Sequence, residues 1–450
     1  MLAVVVGCRP GGDATTHGQA PVPAPVPVKP FRISRPDLVL LITGGTNGMM
    51  EVCNCVGPMP GGLARRSGLV RSYRAAFDHT FLIDTGDIFW VEPEDLRNAF
   101  VLKGYARIGY DAVVLGDQEW AAKGDRLREL AAAGDLTYLA TTVTMQGAEF
   151  PRVVTRRMNG LRLAVVCDVR RDAFRFVPSE RKAKLSLAEP SRLAERIRRL
   201  KEAGCLVVVA AHMEESTLEA AASSCDADLI LRGHTSRSDP TLRRIAGKPV
   251  VKVGGFETVG VVAIRAAEGK IVDLDYRVEV VDASWPLDGR LIQTYQAYAH
   301  AAMRQALDAP RREGLAYVPS AACGRCHRSQ YAAWRAGPHA RAYEGLVRVR
   351  RTGDPSCLMC HTTGFGTKSG FYTIKKTPDL AGVNCQNCHR FTEAEHRKKD
   401  FTVPRLKKDV CTTCHTPVTS PKFDFRGKLA KARCPPGPPA NDVDRAAVPK

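Results

Sequence analysis

The sequence Cys323-Gly-Arg-Cys326-His327 determines the fold of the last third of the chain, because its pattern occurs four times there. In every copy two cysteines stand two residues apart and a histidine follows directly. The copies are Cys323/Cys326/His327, Cys357/Cys360/His361, Cys385/Cys388/His389 and Cys411/Cys414/His415. This is the attachment pattern of c-type haem, in which two thiols bond to the porphyrin and the histidine binds iron. We therefore predict four c-type haems in a mostly α cytochrome domain, poor in regular secondary structure, over residues 317–434.

Zinc is the alternative interpretation of paired cysteines. A zinc ion takes four ligands, so two Cys-x-x-Cys pairs would serve one site. Such a site does not require a histidine directly after the second cysteine, yet all four copies have one. The pattern therefore favours haem over zinc.

A haem iron has a second axial position, and the histidines outside the four motifs are the first candidates to fill it. The chain has 11 histidines, of which four belong to the motifs. Three others, His300, His339 and His396, lie in or beside the motif region. Three candidates for four haems predict about three haems with two histidine ligands and one with methionine or an open position. For each candidate, a surface histidine is the alternative, above all for His300.

Residues 37–285 carry the pattern of a layered α/β sandwich. Short apolar runs typical of buried strands recur along this region. They are Leu38–Ile42, Phe81–Ile83, Ala112–Leu115, Leu163–Val166, Leu206–Ala210, Leu229–Leu231, Val250–Val253, Thr258–Ile264 and Ile271–Val280. Amphipathic helical stretches such as Leu193–Leu200 lie between them. Residues 286–316 are predicted to form a helical connector with Tyr295, Tyr298 and Met303 on its apolar side.

Composition and the N-terminus indicate where such a protein works. A net charge of +19 without a concentrated basic patch favours acidic partners or anionic surfaces over nucleic acid, and the haem motifs indicate redox partner proteins. Residues 1–36 are predicted to hold a truncated lipoprotein signal, with Cys8 as the lipidated anchor to a membrane, and a proline-rich tether. An unrelated short hydrophobic strand is the alternative for the first residues. We predict an exported protein, periplasmic or anchored to the outer membrane, with a disordered tail at residues 435–450.

Segments around the motifs resemble the tetrahaem cytochrome c-554 family over roughly residues 317–430. The first motif is followed by Tyr331, Trp334 and Gly337-Pro338-His339. The segment from Gly382 to His389, with His396 after it, resembles the third haem segment of the family and its distal histidine. The fourth motif continues into Thr416-Pro417 and Phe423-Asp424-Phe425. The resemblance implies electron transfer through closely packed haems, and members of the family can leave one haem five-coordinate.

The first domain resembles the calcineurin-like metallophosphoesterases, in particular the exported 5′-nucleotidases. The similar segments follow the family order along residues 37–284. They are Leu41-Ile42-Thr43, Gly61 to Arg66, Asp84-Thr85-Gly86-Asp87, Leu115 to Glu119, Ala211-His212 and Gly233 to Ser236. Family members bind two metal ions that activate a water molecule and hold the phosphate.

Several positions depart from the family pattern. Gly45 and Asn47 stand where the first motif supplies an aspartate and a histidine to the first metal. Gln118 replaces the histidine that would protonate the leaving group, and Ser236 replaces the second histidine of the last motif. The resemblance leaves a complete ligand set for one divalent metal, expected to be Zn, Mn or Fe. Those residues are Asp87, Asp117, His212 and His234. The alternative is an inactive scaffold with relic residues.

Cys53 and Cys55 follow the first strand near the expected metal edge. A Cys-x-Cys pair can bind metal or form a strained disulfide. Alternatively, either cysteine pairs with Cys167, Cys205 or Cys225, as exported proteins tend to oxidise their thiols.

The leading functional interpretation is an exported multihaem cytochrome that carries electrons, fused to a degenerate phosphoesterase-like domain with at most one metal. One alternative is a haem oxidoreductase that reacts at an open iron position. The other is a metal-dependent phosphoesterase or 5′-nucleotidase.

Overall fold

The computed structural model describes residues 22–52, 59–90, 95–121, 129, 134–145, 148–158, 160–403, 406–416, 419–420, 422–432 and 434–435. The predictions for Cys8, for Cys53 and Cys55, and for residues 436–450 lie outside these ranges. No helix among the described residues has the length and apolar character needed to span a membrane.

Fourteen strands occur in the described part of the α/β region. They are β1 Leu38–Thr43, β2 Thr80–Asp84, β3 Ala112–Val114, β4 Tyr138–Leu139, β5 Val143–Met145, β6 Val154–Met158, β7 Leu161–Val169, β8 Leu185–Leu187, β9 Leu206–His212, β10 Leu229–Arg232, β11 Asp239–Ile245, β12 Lys248–Lys252, β13 Thr258–Ala267 and β14 Lys270–Val280. One six-stranded sheet has the order β14-β13-β1-β2-β3-β4, the other has the order β11-β12-β10-β9-β7-β6, and β5 pairs with β8.

Helices cover the sheets and join them. In the α/β region they are α1 Leu63–Ala76, α2 Asp95–Ile108, α3 Asp117–Ala121, α4 Ser179–Lys182, α5 Pro190–Glu202, α6 Glu215–Ser223 and α7 Gly289–Asp308, with a 3₁₀ helix at Arg171–Phe176. The layered α/β fold expected from the sequence is therefore confirmed. Both sheets are mixed: the first has antiparallel strands at one edge and parallel strands up to the other, and the second has an antiparallel strand at each edge.

Burial alternates along the second sheet in the way that a layered fold requires. Leu163 and Val165 of β7 join the large apolar cluster shared with the first sheet, whereas Ala164 and Val166 join a second cluster. That second cluster includes Leu193 of α5 and other apolar residues of α5 and α6. Each face of this sheet is thus covered, once by the other sheet and once by helices.

The cytochrome region is helical and poor in strands, as predicted. Its helices are α8 Ser320–Gly324, α9 Arg328–Ala336, α10 Ala342–Arg348, α11 Pro355–His361, α12 Cys385–Cys388, α13 Glu393–His396, α14 Lys408–Thr412 and α15 Phe425–Ala432, with a 3₁₀ helix at Pro378–Leu380. Its apolar cluster has only four buried members, Leu346, Leu358, Phe371 and Leu380, in the described structure. The apolar side chains of this region therefore form only a small hydrophobic core.

Helix α7 joins the two regions by direct packing. Its N-cap is Asp288, whose buried carboxylate accepts hydrogen bonds from the Arg290 backbone N–H at 3.0 Å and from the Ser67 hydroxyl at 2.7 Å. Further along, Tyr295 donates a hydrogen bond to Asp354 at 2.7 Å, just before α11. The helix ends at Asp308, before Pro310, so residues 309–316 of the predicted helical connector are not helical.

A second contact between the regions pairs Arg351 with Glu51 at 3.8 Å. The Arg351 guanidinium also lies 5.2 Å from the centre of the Tyr295 ring. Burial raises the pKa of Glu51 from its ordinary 4.5 to about 7, although Arg351 and Arg65 act in the opposite direction. Because the folded state holds the proton more tightly, the stability linked to Glu51 is lost as the pH rises through 7.

We expect Glu51→Gln to be more stable than the parent protein at pH 8 by about 2 kcal/mol, and to lose this advantage at pH 4.5. The amide stays neutral where the buried carboxylate must ionise. Urea unfolding at both pH values measures the difference, and Glu202→Gln on the exposed face of α5 is the matched control. An equal effect of Glu51→Gln at both pH values would contradict the assignment.

Candidate metal centre and haem-attachment region

Four potential metal ligands meet where parallel strands of the two sheets end. Asp87 follows β2, Asp117 follows β3, His212 ends β9 and His234 follows β10. One ligand atom from each residue lies within 4.8 Å of the others. Two strand ends from each sheet thus bring together the four residues named from the sequence, at the edge where α/β proteins commonly place their sites.

The backbone around this cluster is held in uncommon conformations. Asp87 has a φ of 61° and His234 a φ of 50°, in the left-handed region that non-glycine residues rarely adopt. Gly86 and Gly116 make room for the imidazole of His212, since a Cβ atom on either would lie 2.8 Å or less from a ring atom. Such local strain is typical of functional sites.

Hydrogen bonds fix the tautomer of His212, which is fully buried. Its Nδ1 lies 2.8 Å from the carbonyl oxygen of Thr85, which can only accept, so Nδ1 carries the proton. The Nε2 atom faces the carboxylates, at 2.9 Å from Asp117 Oδ1 and 3.5 Å from Asp87 Oδ1. A metal-binding histidine is commonly oriented in this way.

The charges of the cluster suit a cation. Burial acts to lower the pKa of His234, but the carboxylates of Asp117 and Asp87 outweigh it and raise this pKa to about 10. Burial acts to raise the pKa of Asp117, yet hydrogen bonds from the two histidines hold it well below its usual range. His234 Nδ1 lies 3.3 Å from Asp87 Oδ2 and 3.3 Å from Asp117 Oδ1, so two carboxylates converge on this buried nitrogen. The donor set therefore fits a divalent metal.

Glu119 supports the loops that carry Asp87 and Asp117, a role that the sequence analysis did not assign. Its fully buried carboxylate accepts backbone N–H groups of Ile88 at 2.8 Å and Phe89 at 2.9 Å on one oxygen. The other oxygen accepts from Asp87 at 3.2 Å and Gly116 at 2.9 Å. The sequence signal was available, because Glu119 lies in the motif segment two residues after Asp117.

Two of the departures from the family pattern contact each other. The side-chain amide of Gln118 donates to Asn47 Oδ1 at 2.8 Å, and the Asn47 amide donates to the Gly45 carbonyl at 2.9 Å. Neither group is a strong metal ligand compared with the aspartate and histidine expected there. Amide hydrogen bonds thus connect the positions that the sequence analysis assigned to the first metal and to the proton donor.

In the cytochrome region two motif histidines each face a histidine from outside the motifs. The ring centroids of His327 and His396 lie 5.7 Å apart, and those of His339 and His415 lie 6.2 Å apart. His415 Nδ1 is also 2.9 Å from the hydroxyl of Ser420. The structure thus brings together the first and fourth motif histidines with two of the three candidates.

The remaining histidines are arranged differently. His361 places Nδ1 at 2.7 Å from the Ala342 carbonyl oxygen, which leaves Nε2 available. His389 lies beside Phe391. Across the part of the chain that the structure describes, neither ring is paired with a histidine from outside the motifs. His300 is exposed on α7 next to Gly353, and within the same described ranges it makes no ring contact with a motif histidine.

Thiols from different motifs also approach each other. Cys323 of the first motif lies close enough to Cys385 of the third for the two thiols to shift each other's pKa, and the same holds for Cys360 of the second motif and Cys414 of the fourth. Cys167, Cys205 and Cys225 are buried in the α/β region and form no disulfide with one another among the described residues.

Comparisons with known proteins match the two parts of the chain to different relatives. Residues 322–390 match the family model described as cytochrome c554 and c-prime. The C-terminal region resembles the cytochrome c-554 family. Cytochrome c-554 of Nitrosomonas europaea is 34% identical in an aligned segment that covers 17% of this chain and 40% of that protein. The chain therefore spans about two fifths of the length of this curated relative.

The α/β region has the fold of calcineurin-like phosphoesterases. A sulfate thiohydrolase SoxB from Thermus thermophilus matches with a TM-score of 0.55 at 19% identity, covering 73% of this chain and 69% of that chain. A 5′-nucleotidase precursor, also from Thermus thermophilus, matches with a TM-score of 0.52 at 18% identity, covering 76% and 73%. At these identities the likeness shows the fold alone.

We expect Glu119→Gln to lower the stability of the α/β region by about 2 kcal/mol, because an amide cannot accept all four backbone N–H groups. Urea unfolding followed by circular dichroism measures the loss. Glu195→Gln, at an exposed ion pair on α5, is the control and should change stability by less than about 0.5 kcal/mol. Equal stability of the two variants would show that Glu119 does not hold the loops.

Proposed function

We propose that this protein is an exported multihaem c-type cytochrome that carries electrons through four covalently bound haems. Residues 317–434 form the cytochrome domain, residues 37–285 the phosphoesterase-like domain, and residues 286–316 the connector. Haem c is attached outside the cytoplasm in bacteria, which supports export, and anchoring through Cys8 belongs to the same proposal. Redox proteins are the partners, with electrons as the exchanged species.

The observation that carries this proposal is the pairing of His327 with His396 and of His415 with His339. A metal–imidazole bond is about 2 Å long, so two imidazoles on opposite sides of one metal place their ring centres about 6 Å apart. Both measured separations, 5.7 Å and 6.2 Å, agree with that value. We infer bis-histidine ligation of the first and fourth haems, which favours low-potential electron transfer over ligand chemistry.

The thiol contacts support a compact arrangement of the haems. Because Cys323 meets Cys385, the first and third haems would approach each other at their thioether edges. The contact of Cys360 with Cys414 does the same for the second and fourth haems. Short distances between haem edges are what an electron relay requires, and this supports transfer through the group of four.

We further propose that Asp87, Asp117, His212 and His234 bind one divalent metal, Zn, Mn or Fe. When bound, the metal would act as a Lewis acid at the edge of the sheets. His212 presents Nε2 to it and keeps Nδ1–H on Thr85, while the two aspartates supply negative charge. The Asn47 and Gln118 side-chain amides hydrogen-bond to each other at the positions where a two-metal phosphoesterase needs a metal ligand and a proton donor, which argues against that chemistry.

An open haem is the second candidate function, favoured by one observation. Among the described residues, His361 and His389 are not paired with a histidine from outside the motifs. A haem without a second strong ligand can bind a small molecule and reduce or oxidise it. His300 remains the predicted ligand that would close such a position.

Metal counting tests the main proposal. We expect elemental analysis of the mature protein to give about four irons per chain, plus one further divalent ion. Asp87→Ala should remove the extra ion and leave the four irons. Asp111→Ala, at a strand end of the same region that is not part of the cluster, is the control. Two or fewer irons would overturn the tetrahaem assignment.

His396→Ala should open the first haem. We expect the reduced variant to gain about one equivalent of carbon monoxide binding over the parent, because the iron loses its second imidazole. Difference spectra in the Soret region measure this. His79→Ala in the α/β region is the matched control. Unchanged carbon monoxide binding in His396→Ala would contradict the proposed pairing of His327 with His396. Carbon monoxide binding by the parent protein itself would support the open-haem function.

Affinity of the cluster for Mn²⁺ or Zn²⁺ should rise with pH between 6 and 8. The pKa of His234, about 10 without metal, means that the ion must displace a proton there. Each displaced proton makes affinity rise about tenfold per pH unit. Competition with a chelating dye at several pH values measures the slope, and a pH-independent affinity would contradict ligation by His234.

A further inference from the structure

A row of side chains in contact with one another runs from the loop of Asp87 to α7. The relay row, as we call it, consists of Trp90, Arg97, Tyr298 and Tyr295. Trp90 lies in the loop after β2, three residues beyond Asp87. The Arg97 guanidinium, near the start of α2, lies 5.0 Å from the centre of the Trp90 ring and 5.7 Å from the centre of the Tyr298 ring. Arg97 therefore joins a ring beside the metal cluster to a ring of α7.

The relay row continues along α7 to the second haem motif. The rings of Tyr298 and Tyr295 are one helical turn apart, with their centres separated by 6.4 Å. The Tyr295 hydroxyl donates to the carboxylate of Asp354, which is the N-cap of α11. Helix α11 carries Cys357, whose thiol lies close enough to Tyr295 to affect the pKa of the phenol. The contacts thus reach the second haem-attachment site.

Packing fixes the rings of the relay row. Tyr298 is 6% exposed and Tyr295 is 9% exposed. Phe100 of α2 packs edge-on against Tyr298, with ring centres 5.9 Å apart. The Trp90 backbone N–H donates to the Asn98 side chain at 3.1 Å, which ties the loop after β2 to α2. Side chains held in this way keep their separations, as a path for electrons requires.

The Trp90 end of the row is coupled to the metal cluster through a short piece of backbone. Three successive backbone N–H groups, from Asp87 to Phe89, donate to the buried Glu119 carboxylate. Trp90 is the next residue along the chain. One carboxylate therefore fixes both a proposed metal ligand and the backbone that leads to the first ring of the row.

We propose that the relay row is a path for electrons between the metal cluster and the second haem, so that the cluster is a redox centre. This inference rests on the haem and metal sites proposed above, and it favours iron over zinc in the cluster, because Zn²⁺ has no redox chemistry. Cys360 of the second motif lies close to Cys414 of the fourth. The path therefore connects the cluster to the group of haems.

Each transfer moves one electron. The electron leaves a ferrous haem and reduces a ferric ion in the cluster, so that the haem becomes ferric and the ion ferrous, and no covalent bond is made or broken. Low-potential haems favour this direction. The aromatic π-systems of Trp90, Tyr298 and Tyr295 serve as bridging groups, and the Arg97 cation packs against two of them.

Anaerobic stopped-flow spectroscopy on the haem-loaded full chain tests the path. A chelator empties the cluster and leaves the covalently bound haems, and the cluster is then refilled with Fe³⁺ or, as the control, with Zn²⁺. A substoichiometric pulse of reductant reduces the haems. We expect the ferrous haem absorbance of the Fe³⁺ form to decay at a rate that does not depend on protein concentration, and that of the Zn²⁺ form to persist. The ferric signal of the cluster in freeze-quenched electron paramagnetic resonance should fall at the same rate.

Variants of the row separate a path for electrons from simple packing. Trp90→Leu and Tyr298→Leu should each slow the decay severalfold or more, whereas Tyr298→Phe keeps the ring and should keep the parent rate. Phe100→Leu is the matched control, because it disturbs the same contact between α2 and α7 and leaves every member of the row. Equal slowing in Phe100→Leu and Tyr298→Leu would overturn the proposal, and so would parent rates in both Trp90→Leu and Tyr298→Leu.

The driving force must also stay constant. Redox titration of Trp90→Leu and Tyr298→Leu should give the haem potentials of the parent protein, since neither side chain binds haem in our proposal. Shifted potentials that account for the slower decay would attribute it to the haems and overturn the path.

Elemental analysis of the same samples distinguishes failure of the path from failure of the sites. A chain that holds its haem iron and a cluster ion, yet shows no exchange between them, would keep both sites and overturn the path alone. A chain that holds its haem iron but takes up no ion at the cluster would overturn the metal site and the path together.

Discussion

The carboxylate of Glu119 is the contact on which the geometry of the α/β site depends. Four backbone N–H groups, from the turn after β2 and the turn after β3, converge on its two oxygens. Backbone groups buried in loops need partners, and one carboxylate here supplies four of them. Asp87 lies in one of these turns, outside any helix or strand, and has a positive φ. The hydrogen bonds to Glu119 therefore hold the backbone that directs the Asp87 side chain towards the cluster.

Much of this architecture was available from the sequence, for identifiable reasons. Continuous apolar runs such as those of β7 and β9 signal strands buried on both faces, and motif residues directly after them mark the edge where they meet. Contacts between side chains that are far apart in the sequence could not be predicted from it. The hydrogen bond between the Asn47 and Gln118 side chains joins residues 71 positions apart, and the local sequence pattern does not predict it. The facing of His327 by His396 likewise depends on how short helices pack.

The end of the connector was also hard to predict. The apolar positions Tyr295 and Tyr298 correctly indicated a helix, but residues 309–316 continue as irregular backbone along the cytochrome region. Pro310 explains the stop, since proline removes an N–H and restricts the residue before it. Haem attachment, by contrast, was predicted from the spacing of residues within each five-residue Cys-x-x-Cys-His motif. That prediction needs no knowledge of how the helices pack.

Helix α7 contacts both regions and lies between them in chain order. Its first half packs on α1 and α2, and Tyr295 reaches the segment before α11. The α/β region is therefore complete in sequence before the first haem motif begins. Because domains tend to fold as units in the order in which they are synthesised, the α/β layers, with α7 attached, would offer a preformed surface to the chain that follows. A region with little apolar core of its own can then gather its four motifs against an existing surface, so that the first region acts as a template for the assembly of the second.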